Sequence, residues 1–246
     1  MKSRSLRKVD LGTAAGSDIA MIEHGAEEIP FGRISKDSLS DLAYDEIRSA
    51  LMKGRLKPGE ALVLRPLSAK LGISPTPVRE ALLRLVSEQA LELDKRGRAR
   101  VPLIDRHVFT EIRDLRIELE GRAAVRAAEI ASPQDIAALE RVHARMIKAE
   151  ARKDVTAALK YNEEFHFSLC RLARMPVLFR VVQSLWLQCG PFLNYIYAQE
   201  LPKWPRHPHV VTLDGLKLKD GGMARAGVVE DIACFWAVLL KWFDTK

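Results

Sequence analysis

The stretch from Ser38 to Ile104 changes hydrophobic period several times within a short length, and few folds accept that order of elements. "SLSDLAYDEIRSALMKGRLKPGE" places Leu39, Leu42, Ala43, Ile47, Ala50 and Leu51 at helical spacing, with Ser38 or Ser40 as cap. "KPGE" breaks that helix with a Pro-Gly turn. "PLSAKLG" is a short helix ended by Gly72, and "ISPTPVREALLRLVSEQAL" is a second one, capped by Ser74 or Thr76 with a proline in its first turn. Val78, Ala81, Leu82 and Leu85 form its buried stripe, which leaves Thr76, Arg79 and Arg84 on other faces. "LELDKRGRARVPLI" follows as a two-stranded hairpin turning at Arg96-Gly97, with a cationic tip. Helix, short helix, turn, helix and basic hairpin is the order of a winged helix-turn-helix, a DNA-reading module.

Everything beyond about Asp105 has the helical period. Ser132, with Pro133 behind it and Asp135 near N3, opens one helix, and Asp154 opens the next. Gly190-Pro191 is read as a kink in a strongly apolar helix, and two further helices close the chain. The expected fold is mainly α. It comprises a tail at 1–35 without periodicity, a winged helix-turn-helix at 36–104, and an antiparallel bundle of six or seven helices at 105–246.

Charge and cysteine usage narrow the function classes. A net charge of +7 favours a polyanionic partner. Cys170, Cys189 and Cys234 lie far apart without paired spacing, which points to a reducing cytoplasm and away from a disulfide framework or cysteine zinc site. No apolar run approaches the ~20 residues of a membrane span, and the N-terminus lacks the apolar core of a secretory signal.

On the DNA-reading side, Ser74 and Thr76 offer hydroxyls to phosphates, and Arg79 reaches a base edge or the backbone. Arg65, before the supporting helix, is placed to clamp flanking backbone, and Lys95, Arg96, Arg98 and Arg100 surround Gly97 at the tip. The residues alone equally describe a solvated basic hairpin beside an unrelated helical pair. Further on, "YNEEFHFSLC" sets Asn162 and His166 four residues apart on one helical face, a spacing that metal sites use. His166 could equally be a hydrogen-bonded core histidine and Asn162 a packing residue. Arg116 falls on the inward side of its helix, judged from Leu115, Leu119 and Ala123, where a guanidinium suits a carboxylate. A salt bridge to Glu120 is the competing reading.

Residues 44–101, carried by "GRLKPGE", "LSAKLGIS", "TPVREAL" and the basic wing, closely resemble the GntR family of bacterial transcription regulators. That resemblance implies operator contacts from Arg65, Arg79, Arg96 and Gly97. At Pro75 the family usually has a DNA-contacting arginine, so a different operator preference is expected, with Arg98 or Arg84 available to compensate. The segment 105–246, through "DLRIELEGRAAVRAA" and "NEEFHFSLCRLARMPVL", resembles the FCD effector domain of the FadR subfamily. Many FCD domains hold a divalent metal. The resemblance carries this onto Asn162, His166, His209 in "HPHVVTLDGL" and Asp231 in "VVEDIACF". Asp231 stands where the family usually has histidine, a change that favours oxygen-loving ions such as Mn²⁺ or weakens binding; Zn²⁺ and Ni²⁺ are the other candidates. His209 could be a loop residue, and Asp231 could pair with Arg225. Gly221, Gly222 and Gly227 leave the aim of Asp231 open. FCD regulators typically sense organic acids, which gives Arg116 an effector carboxylate to meet.

The expected function is therefore a ligand-responsive DNA-binding regulator, a repressor that binds a palindromic operator as a homodimer and is released or retuned by a small organic acid. It is expected in the bacterial cytoplasm, on the nucleoid when bound. A metal-dependent helical hydrolase fused to a DNA-binding head is the rival. It would need a general base or nucleophile by the metal, and Glu163 and Glu164 point off the Asn162–His166 face. No HExxH, nucleophile elbow or phosphate loop occurs. A non-sensing DNA-binding protein with a purely structural bundle is the third reading.

Overall fold

The computed structural model describes residues 39–197 and 204–244, so the expected tail at 1–35 and the Ser38 cap lie outside the described residues. The chain begins with α1 (Leu39–Met52), which buries Ala43, Tyr44, Ile47, Leu51 and Met52. Leu39 and Leu42, expected on that stripe, are exposed instead. After the Pro-Gly turn comes β1 (Ala61–Leu62), then α2 (Leu64–Leu71), closed by Gly72 at φ +69° in the left-handed region where a Cβ is penalised. Next is α3 (Pro75–Ser87), with Ser74 as N-cap and Pro75 at N1, which buries Val78, Ala81, Leu82 and Leu85 as the spacing demands.

The hairpin is β2 (Glu92–Leu93) and β3 (Ala99–Arg100). The wing has three strands rather than two, in the order β1-β3-β2, with Ala61 opposite Arg100 and Leu62 opposite Ala99. Two residues carry no period of their own, so β1 exists only because β3 is there to pair with. Arg65 sits inside the first turn of α2 rather than ahead of it.

Six helices follow among the described residues, the smaller of the two expected numbers: α4 (Arg106–Ile130), α5 (Pro133–Ala151), α6 (Val155–Leu172), α7 (Pro176–Tyr197), α8 (Pro208–Leu218) and α9 (Gly221–Asp244). Asp105 caps α4 by accepting from the Val108 N–H, and Asp154 caps α6 by accepting from Ala157. Ser132 and Asp135 form a reciprocal capping box on α5. Gly190-Pro191 lies within α7, whose helical span continues to Tyr197.

Large apolar groups fill the interior. Phe109 stacks on Trp236 with centroids 4.1 Å apart, and both are buried. Fully burying side chains of this kind stabilises a fold by about 1.5–3 kcal/mol each.

The glycines around α8 and α9 act opposite to expectation. A Cβ on Gly215 would lie 2.7 Å from Ala224 Cα, and one on Gly227 would meet Thr212 Oγ1 and Pro208 O. They let the two helices press backbone to backbone, and that contact holds Asp231 in place rather than leaving its aim open.

Candidate functional site

The head presents a cationic face. Arg65, Ser74, Thr76, Arg79, Arg96, Gly97 and Arg98 are all exposed. Among the described residues no ion pair involves Arg65, Arg79 or Arg96. The Ser74 hydroxyl makes no cap hydrogen bond, which leaves it free for a phosphate at the N-terminus of α3.

Three arginines are already engaged, Arg100 by Glu92 at 2.6 Å. Arg98 donates from its backbone N–H and from Nε to Asp94, at 2.9 and 2.8 Å, and Asp94 also accepts from the Arg96 N–H. These bonds, the Arg98 backbone bond foremost, hold the Asp94 carboxyl down at about 2. Gly97 completes the turn at φ +72°. Arg98 thus ties the tip together while Arg96 stays unpaired. Arg84 lies off the buried stripe as expected, and it pairs with Asp41 at 3.1 Å and Glu88 at 3.4 Å and lies 3.8 Å over the Tyr44 ring. It joins α3 to α1 at the surface, with its side chain half exposed.

The bundle interior holds a second polar assembly. Arg116 and Glu120 come from α4, Asn162 and His166 from α6, His209 from α8 and Asp231 from α9; all six are buried. The stripe that carries Arg116 inward is Phe109, Ile112, Arg116, Glu120 and Ala123; Leu115, used to orient it, is itself exposed, because the inward face lies one residue further along the turn.

Arg116 Nε donates to Glu120 Oε1 at 2.6 Å, and its guanidinium stacks 4.0 Å over Trp186. Trp186 Nε1 donates to the same oxygen at 3.0 Å. The other Glu120 oxygen lies 2.6 Å from His166 Nδ1, and His166 Nε2 lies 3.0 Å from Asp231 Oδ2. His209 Nε2 stands 3.5 Å from Asp231 Oδ1, too long for a good hydrogen bond, with its ring stacked on Phe165. Arg225 pairs with Glu118, not with Asp231.

The charges follow from these contacts. Burial alone would lower the His166 pKa, but Glu120 and Asp231 outweigh it and raise it to about 9. Burial would raise Glu120, yet Arg116 and His166 hold it at about 2. His209 has no such partner, so burial pushes its pKa well down and the ring is neutral. Asn162 Oδ1, Asp231 Oδ1 and both His209 nitrogens are buried without a hydrogen-bond partner. Arg116, Asn162 and Asp231 share a cavity of about 10 Å³ with Leu193 and Trp236, room for one water-sized sphere.

Arg116 makes the salt bridge to Glu120 that the competing reading expects, and it also lines the cavity. Asn162, His166, His209 and Asp231 converge from three helices. Glu163 and Glu164 are not among the cavity-lining residues, and Glu164 reaches toward Arg145. Sequence reasoning missed Trp186, Cys189, His143 and His207, whose roles depend on neighbours distant in the chain. The only available signal was the crowding of His207 and His209 around Pro208.

Comparison with known proteins adds two family matches. Residues 39–101 match the family described as bacterial regulatory proteins, gntR family, and residues 111–233 match the FCD domain. The HTH-type transcriptional regulator McbR of Escherichia coli K12 is 34% identical over 217 residues, covering 87% of this chain and 98% of McbR. The solved structure of E. coli McbR/YncC superposes with a TM-score of 0.78 at 32% identity, over 84% of this chain and 99% of that one. A GntR regulator structure from Rhodococcus sp. RHA1 shares the fold at 20% identity, with a TM-score of 0.69 over 82% of this chain and 97% of that one.

Proposed function

Since the chain belongs to the GntR family of bacterial transcriptional regulators and carries an FCD domain, we propose that it is a ligand-responsive repressor acting as a homodimer on a palindromic operator. The observation that carries this reading is a buried, partly unpartnered polar cluster in the same chain as an unpaired cationic DNA-facing surface. In a two-fold dimer, each α3 enters a major groove and each wing approaches the adjacent groove. Arg65, Ser74, Thr76, Arg79, Arg96 and Gly97 supply the contacts; Arg98 shapes the tip and Arg84 positions α3. The setting is the bacterial cytoplasm, and no helix of the described residues is long and apolar enough to cross a membrane.

The buried cluster is the sensor. The unpartnered Asn162 Oδ1, Asp231 Oδ1 and His209 nitrogens, with His166 once it gives up its proton, fit a divalent metal, Zn²⁺, Mn²⁺ or Ni²⁺, held by Asn162, His166, His209 and Asp231. Such an ion would give an incoming anion a positive centre. Arg116 meets the effector carboxylate from the opposite helix. The cavity is ion-sized, so an organic acid enters only as helices separate, and only a difference in affinity between closed and opened states shifts operator binding.

Two measurements test this. Arg79→Ala is expected to weaken operator binding by about 1–3 kcal/mol in a gel shift, with the salt slope reduced by roughly one if Arg79 meets a phosphate. Wild-type affinity in that variant would refute the DNA-reading assignment. A thermal-shift screen of small carboxylates, with and without Mn²⁺ or Zn²⁺, should give stabilisation that Arg116→Gln abolishes. No response to any carboxylate would remove the effector class.

A further inference from the structure

A second cluster of donors adjoins the sensor and shares only His209 with the ligand set just described. His143 lies on α5, His207 is the N-cap of α8, and His209 is in the first turn of α8. Their ring centroids stand 4.9 Å (His143–His207), 5.5 Å (His143–His209) and 4.9 Å (His207–His209) apart. One nitrogen from each ring lies within 4.8 Å of the other two. His143 Nδ1, His207 Nε2 and both nitrogens of His209 are buried with no hydrogen-bond partner.

Buried polar atoms are almost always satisfied, so unpartnered nitrogens on three neighbouring rings call for an occupant. Nitrogens bound to one tetrahedral Zn²⁺ lie roughly 3.4 Å apart, so the rings need close by only about an ångström. His166 is in the opposite condition, with one carboxylate against each ring nitrogen.

We propose that His143, His207 and His209 bind a late first-row divalent cation of the Zn²⁺ class through three imidazole nitrogens. Imidazole donors favour Zn²⁺, Ni²⁺ or Cu²⁺ over Mg²⁺ and Ca²⁺. The site shares only His209 with the sensor. Loading also acts on α8. His207 Nδ1 accepts from the His209 N–H at 3.1 Å, so the ring hydrogen of neutral His207 sits on Nε2. An ion at Nε2 moves that hydrogen to Nδ1, and the cap is exchanged for coordination. The first turn of α8 is therefore loosened when the ion enters.

The test is a Zn²⁺ titration of the full chain by calorimetry, with ¹⁵N-histidine NMR of the six histidines. The ring resonances of His143, His207 and His209 should move together. His143→Gln should weaken the binding that moves the His143 and His207 resonances tenfold or more, since even outer-sphere partners of a metal contribute 10–100-fold. Should His143→Gln fail to fold, the wild-type NMR shifts decide alone. Shifts confined to His166 and His209 would place the ion in the sensor set and overturn this site while leaving the sensor standing. No binding at millimolar Zn²⁺ overturns the site too, and the carboxylate screen still judges the sensor separately.

Discussion

Glu120 has no exposed surface, and it accepts from Arg116 and Trp186 through one oxygen while the other faces His166. Removing its charge would leave a buried guanidinium without its carboxylate and a protonated imidazole with Asp231 alone. Glu120→Gln is therefore expected to destabilise the bundle by about 3–5 kcal/mol, read by chemical denaturation. The pH dependence has a definite sign. Its folded pKa, near 2, lies below the ordinary 4.5, so its contribution is complete above pH 4.5 and is lost as pH falls toward 2. Acid titration of stability should slope through that window in the wild type and be flatter in Glu120→Gln. Equal slopes would show that Glu120 is not the group that matters. The sequence offered Glu120 only as a partner for Arg116. That it also meets His166, from a helix more than forty residues away, is a tertiary fact.

At the scale of elements, local chemistry was largely legible. The capping box of α5 could be read from Ser132, Pro133 and Asp135, because a cap is made by residues adjacent in the chain. Ser132→Ala should cost about 1 kcal/mol, seen as a lowered Tm by circular dichroism. An unchanged Tm would mean that the cap is redundant with the packing of α5. The third wing strand shows the limit of local reading. Ala61-Leu62 is a strand through its pairing with β3 alone, so no window of sequence around it contains the cause. Arg84 teaches the same lesson: helical geometry moved it off the buried stripe, but only the position of α1 turns it toward Asp41 and Tyr44.

Across the whole molecule, the head and the bundle meet where α1 ends. A Cβ on Gly190 of α7 would lie 2.8 Å from the Leu51 carbonyl oxygen, so no larger residue fits without moving one helix. The neighbouring Cys189 lies 3.8 Å from Arg116 Nη1. A continuous run of contacts thus joins His166, Glu120, Arg116 and α7 to the helix that carries α3. Gly190→Val should change operator affinity by about 1–2 kcal/mol in fluorescence anisotropy while leaving effector binding near wild type. Unaltered operator affinity and effector response would exclude this contact as the route between the two ends.

The sequence by itself determined the fold class and the order of the helices, and it nominated the candidates for DNA contact. Each of these is written in periodicity, caps and turns, which act over a few residues. It also named Asn162, His166, His209, Asp231 and Arg116 as candidates. Only the tertiary structure decided what they touch. The close approach of α8 and α9 at two glycines sets Asp231 against His166, the inward turn of α4 brings Glu120 between Arg116 and His166, and His143 joins His207 and His209. Those outcomes depend on how separate helices pack, and packing is a property of pairs of surfaces that no single stretch of chain contains.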